Sequence, residues 1–212
     1  MERYFGTYQT FQTVSRKEAA DLIGADNLVG DYYTIECTIE NGEQKAWLVN
    51  KFQKRVGFFD TSFSRQLSLL NAQEMTLVAL LSFVAYTDHP EPGHYWGQAA
   101  VMAYDPHFEE SFAPFIAQVS QAIKNDRRPI LDLNESSIEK VIESKGDWIP
   151  KDTVALPSPE KGTALIKTRQ SLTDRLVEES RKGNKGCYVV SWAFLLALVA
   201  AIIFGLKSCG VF

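Results

Sequence analysis

The order of apolar and polar positions divides the 212 residues into distinct pieces. "YFGTYQTFQTV" is aromatic and rich in threonine, which suits a strand or an extended arm. In "SRKEAADLIG", Ser15 and Glu18 stand at capping-box spacing and Gly24 closes a short helix. "DYYTIECTIENGEQKAWLV" carries two runs of strand formers around Asn41-Gly42, a pair that favours a tight hairpin turn. "RVGFFD" predicts a further short strand, and Asp60 then caps a helix with Phe63, Leu67 and Leu70 on one face.

The next run, "TLVALLSFVAY", fits a helix and a buried strand equally well by periodicity. The Pro-rich loop "TDHPEPG" and a second apolar run, "HYWGQAAVMAY", decide for two long strands in a central hairpin covered on both faces. Phe108, Phe112, Phe115, Ile116, Val119 and Ile123 share a helical face, and Pro114 predicts that the regular helix begins near it or kinks there. "NESSIEKVIESKG" predicts a second amphipathic helix, with Ile138, Val141 and Ile142 inward and Gly146 at its end. The expected fold class is therefore α+β: a compact antiparallel β domain over residues 1–148 with flanking amphipathic helices. A Pro- and Gly-containing linker follows over 149–163. The segment 164–187 reads as basic and partly helical, weakly amphipathic through Leu165, Leu172 and Leu176.

The pattern changes at the C-terminus. From Tyr188 to Leu206 no residue is charged, and the run is apolar on every face. A helix of that length spans roughly 28 Å at 1.5 Å per residue, close to the ~30 Å hydrocarbon core of a bilayer. The expectation is a single transmembrane helix over 188–206 with a short external tail, 207–212. Arg181, Lys182 and Lys185 precede the run, against Lys207 alone beyond it, which places the N-terminal domain on the cytoplasmic side. The opening "MERYFGTYQT" does not read as a signal peptide. These readings together describe a single-pass, tail-anchored membrane protein with the lipid bilayer as one partner. Ala193, Ala197, Ala201 and Gly205 recur at every fourth position, a small-residue stripe suited to helix–helix association and hence to a homodimer.

Charge is divided along the chain. Residues 1–160 hold 14 Lys and Arg against 23 Asp and Glu, a balance of −9; residues 161–186 hold 7 against 3, a balance of +4. Arg181, Lys182 and Lys185 are in the second group and suit an anionic lipid surface as well as a topology signal. Three cysteines, Cys37, Cys187 and Cys209, do not make a disulfide framework.

Two stretches invite chemistry. His89 and His94 share the loop "DHPEPGH" with Asp88 and Glu91, a candidate two-histidine metal site. His107 lies at the far end of the strand that begins near His94, about 33 Å away when extended, so it cannot join them. In "KAWLVNKFQKRVGFF", Lys45, Lys51, Lys54 and Arg55 alternate with aromatic residues, the combination that binds single-stranded nucleic acid by phosphate charge and base stacking. The domain's negative balance opposes that attraction, and strand alternation turns many of the rings inward.

The order of "AWLV", "VGFF", a helix with "FSRQL" and a long apolar strand pair resembles the HIRAN domain over about residues 29–104. In that family an "AI-V" strand precedes "IGYL" and a helix, and an Asn- and Asp-rich motif stands where this chain has "ENGEQK". The resemblance implies a small β-barrel-like fold and binding of DNA ends; it assigns no binding residues. For catalysis the chain offers no phosphate-cradling Gly-rich motif, no G-x-S-x-G, no H-E-x-x-H and no C-x-x-C, and no motif calls for a cofactor. The functional expectation is a membrane-tethered, non-enzymatic binding or scaffolding module for a protein partner. The alternatives are a tethered nucleic-acid-binding domain and a metal-dependent hydrolase at His89 and His94.

Overall fold

The computed structural model describes residues 3–13, 21–181 and 192–199. Among the described residues seven strands are present: β1 (Tyr4–Gln12), β2 (Tyr32–Glu40), β3 (Glu43–Val49), β4 (Arg55–Phe58), β5 (Thr76–Thr87), β6 (His94–Tyr104) and β7 (Thr163–Lys167). Four of the helices among the described residues are α1 (Thr61–Ala72), α2 (Glu109–Lys124), α3 (Glu135–Glu143) and α4 (Leu172–Arg181). The chain divides into two compact units, residues 1–170 and 171–212. The first therefore runs past the boundary expected at 148 and takes in the segment read as a linker.

Within the first unit the sheet order is β2-β3-β4-β1-β6-β5-β7, and an additional β2–β5 pairing closes six antiparallel strands into a barrel. Closure uses both halves of β5. Val78–Leu80 pair with Tyr32–Thr34 of β2, whereas Val84–Thr87 pair with β7. The β2–β3 turn has Asn41 at φ 52° and Gly42 at φ 82°, the left-handed pair that a two-residue hairpin turn requires.

The apolar run that periodicity could not classify is β5, buried on two faces. Leu77, Ala79 and Leu81 face the barrel interior, while Val78 and Leu80 face outward. A register shift between Leu81 and Phe83 makes Ser82 an extra residue, so Val84 returns to the interior. Inside the barrel, Phe11, Leu48, Val56, Phe59 and Val101 pack with Phe63, Leu67 and Leu70 of α1, which plugs one end. Asp60 caps α1 by accepting from the Phe63 N–H at 2.9 Å. A second core lies outside the barrel, where Phe112, Phe115, Ile116 and Val119 of α2 and Val141 of α3 cover Tyr4, Ala100 and Met102. Helix α2 begins at Glu109, five residues before Pro114, and carries the proline within it.

The segment between α3 and β7 is a strap bonded to the domain. Ile130 N–H donates to Asp152 O at 3.1 Å, and Val154 N–H donates to Arg128 O at 2.8 Å. The strap ends at β7, and the second unit begins with α4.

One expectation is corrected. Among the described residues no helix is long and apolar enough to cross a membrane. Within 188–206 the described helix covers 192–199 only. The fold class is an α+β domain with a closed six-stranded barrel plus helices, without the C-terminal transmembrane helix that the sequence suggested. The single-pass, tail-anchored arrangement and its membrane location fall with that helix. Ala193 and Ala197 lie in the described helix and are exposed; Ala201, Gly205, Lys182, Lys185, Cys187 and Cys209 lie outside the described residues, and Arg181 is the last residue of α4.

Candidate functional site

The basic, aromatic stretch folds as β3, a turn and β4, and each of its four cations meets an acid from earlier in the chain. Lys45 pairs with Glu40 at 3.5 Å, Lys51 with Asp31 at 3.1 Å, and Lys54 with Asp21. Arg55 meets Glu36 at 2.9 Å and Glu40 at 3.3 Å. The aromatic rings are occupied as well. Lys45 Nζ stands 4.3 Å from the Trp47 ring centroid and 4.1 Å from that of Phe58, and the Arg55 guanidinium covers Trp47 at 4.9 Å. A phosphate backbone would have to displace carboxylates, and bases would have to displace cations, before either could bind.

Hydrogen bonds from the Arg55 guanidinium hold the Glu36 carboxyl below the ordinary carboxylate range; the Trp47 indole N–H, then Lys45 and Arg55, do the same for Glu40. A depressed carboxylate contributes stability above its unfolded pKa and loses it as pH falls through the folded value. The pair is exposed, so the effect is small and salt-screened. Acid titration followed by thermal melting is expected to show a steeper loss of stability for the parent than for Glu36→Gln below the ordinary carboxylate pKa. The difference should shrink in high salt.

The structure places the two histidines in one hairpin. His89 is exposed at the tip of the β5–β6 loop, with Asp88 Oδ1 3.8 Å from its Nε2, and His94 pairs across the hairpin with Thr87. Among the described residues no group of three His, Cys, Asp or Glu side chains is placed to hold a metal ion. His107 serves its own turn, where Asp105 Oδ1 lies 2.6 Å from Nδ1.

Among the clefts on the surface of the described residues, three stand out. One of about 490 Å³ runs along α2 past Ala117, Gln121 and Asn125, with Gln118 and Arg127 engaged on Gly146 O and Pro150 O. Another, of about 470 Å³, lies by the start of α3, where Lys140 covers Trp148 amid both signs of charge, Asp132 and Asp152 against Lys151. The third, about 280 Å³, lies between the strap residues Pro157–Glu160 and a floor of Trp96, Thr87, Thr163 and Leu165. Its floor polar groups satisfy one another: Trp96 Nε1–H donates to Thr87 Oγ1 at 2.9 Å, and Thr87 and Thr163 hydroxyls meet at 3.0 Å. Trp96 is itself braced edge-on by Phe83 at 5.6 Å. Trp96, Leu165, Pro157 and Pro159 give the cleft an apolar side, and Ser158 and Glu160 a polar one.

This third cleft adjoins a strand edge with which no further described strand pairs. Asp88 N–H donates to Gly162 O at 3.0 Å, which makes that opposed pair a hydrogen-bonded one. With Thr87 opposite Thr163 and Tyr86 opposite Ala164, antiparallel alternation turns the backbone of Thr163 and Leu165 away from β5. Thr163 N–H is taken by Glu160 O at 2.9 Å. Thr163 C=O and both polar groups of Leu165 therefore point to the outer side of β7, the last strand in the order.

Arg128, which no sequence signal singled out, holds the strap over this cleft. It is 4 % exposed. Its Nε donates to Ser82 Oγ at 3.0 Å, Nη1 to Ala155 O at 2.8 Å and Nη2 to Gln98 Oε1, and the guanidinium lies 4.4 Å from the Tyr8 ring centroid. Burial lowers its pKa from the ordinary arginine value, and none of these partners is a carboxylate. Its acceptors come from the β5 bulge, β6 and the strap, a meeting that local sequence cannot announce. No protein family, characterised protein or solved structure matches the chain in comparisons with known proteins.

Proposed function

We propose that the barrel domain is a non-enzymatic recognition module that binds a protein partner. The observation that carries this reading is the placement of the concave surface. The barrel interior is filled by its own side chains, and the 280 Å³ cleft lies outside, next to the strap and the β7 edge. The cations of the basic stretch pair with surface acids, and the titratable groups at the 470 Å³ cleft carry both signs of charge. The 280 Å³ cleft falls below the ~300–1,000 Å³ of small-molecule sites and suits an inserted side chain better than a cofactor.

The nucleic-acid reading, including the DNA-end binding implied by the resemblance to HIRAN domains, loses its main support with the ion pairs at Lys45, Lys51, Lys54 and Arg55. Titration of the full-length protein with fluorescent single-stranded oligonucleotides at low salt is expected to give no saturable binding. The decisive experiment retains proteins from the host extract on the immobilised full chain, then titrates each purified candidate by calorimetry. A stoichiometric complex is the expected outcome. Absence of any such complex, together with oligonucleotide binding that weakens steeply with salt, would overturn the proposal in favour of nucleic acid.

A further inference from the structure

We infer that the outer edge of β7 and the cleft beneath the Pro157–Glu160 strap form one docking site for an extended segment of a partner protein, bound by strand addition. This inference rests on reading the domain as a recognition module, and it names the site and the class of ligand. Strand addition requires backbone groups for affinity and a side-chain pocket at the same register for specificity. Both are found at Leu165. Its N–H and C=O face outward, and its side chain lines the cleft with Trp96. Because side chains alternate along a strand, a guest strand beside β7 presents every second side chain to the face that holds the cleft. The apolar side of the cleft, Trp96, Leu165, Pro157 and Pro159, accepts an aliphatic or aromatic group, and the Thr87 and Thr163 hydroxyls and the indole N–H beside it are already paired.

Charge selects the guest further. Glu160 lines the cleft, and the half-exposed Asp88 carboxylate sits against Gly162 at the start of β7. The fitting ligand is therefore an extended segment with one apolar residue entering the cleft and Lys or Arg beside it. The exposed Ile166 and the shortness of β7, five residues, fit an edge left for a short guest rather than for sheet extension.

The test selects short random peptides displayed on phage against the full-length protein, then titrates the winning synthetic peptide into the parent and two variants. Leu165→Pro removes the outward N–H at a position where the backbone does not bond β5, a place where edge strands tolerate proline. The doubly substituted Asp88→Lys, Glu160→Lys reverses the rim charge with exposed residues only. Winning peptides are expected to share an apolar residue flanked by Lys or Arg. Affinity should fall about tenfold in Leu165→Pro, from one lost hydrogen bond and lost apolar contact. It should fall about three- to tenfold in the charge variant, more at low salt. Unchanged melting of the charge variant separates loss of binding from loss of fold. Peptides that bind equally well to both variants overturn this site and leave the recognition module standing, whereas no enriched peptide at all overturns both. Self-association of the parent that both variants abolish would assign the edge to a second copy of the chain and overturn the partner segment.

Discussion

Replacing Arg128 with alanine is expected to lower the unfolding free energy by about 3–5 kcal/mol, measured by denaturant titration of the full chain. The sign is not obvious in advance. A buried guanidinium without a carboxylate carries a desolvation cost, and removing it recovers that cost. Against this stand three hydrogen bonds to a charged donor, each worth roughly 1.5–3 kcal/mol, and stacking on Tyr8 worth up to about 2 kcal/mol when desolvated. Truncation also leaves Ser82 Oγ, Gln98 Oε1 and Ala155 O to find new partners in a packed region. The losses are larger, so the variant is destabilised. Arg128→Met separates the two terms, because it keeps the apolar stem and removes the charge. If it proves more stable than the parent, desolvation outweighs the hydrogen bonds and the assigned role is wrong. Hydrogen exchange gives a second readout: strap amides such as Val154 should lose protection in Arg128→Ala before those of β6 do.

Features set by neighbouring residues were legible in the sequence. Asn41-Gly42 announces its turn, Asp60 its cap, and the alternation before and after them the two strands that the turn joins. What escaped depends on contacts between distant segments. The barrel closes because Tyr32–Thr34 meet Val78–Leu80, and no local pattern encodes that meeting. β5 hid its periodicity because α2 covers the face that the barrel does not. The cations from Lys45 to Arg55 looked like a free basic patch because their acids, Asp21, Asp31, Glu36 and Glu40, come earlier in the chain. Prolines suggested a linker over 149–163, yet Arg128 fastens that segment as a strap. The hydropathy of 188–206 reports composition alone, and among the described residues no helix is long and apolar enough to cross a membrane. The candidate site was therefore the least legible part, since it is made where the strap, β6 and β7 converge.

The barrel interior supports a second large prediction. Phe11 is 1 % exposed and is met edge-on by Phe59 at 6.5 Å. Two glycines make room for its ring. A Cβ on Gly57 would stand 2.5 Å from Phe11 Cδ2, and one on Gly97 would stand 2.6 Å from Phe11 Cζ. Phe11→Ala is expected to cost about 3–5 kcal/mol, from lost transfer energy and the cavity left behind. Gly97→Ala is expected to cost about 1–3 kcal/mol, because the closed barrel gives the ring little room to shift. The new methyl also meets Phe83 O at 2.7 Å, a contact that does not depend on Phe11. The double variant should therefore recover part of the loss, with a coupling of about 1–2 kcal/mol in a double-mutant cycle. Additivity within about 0.5 kcal/mol would mean that the glycine answers to the backbone alone and that the ring is not what it accommodates. A solid barrel held by this ring and these glycines leaves recognition to the outer surface. Phe11→Ala tests that separation, since it should leave peptide binding at β7 intact under conditions where the variant remains folded.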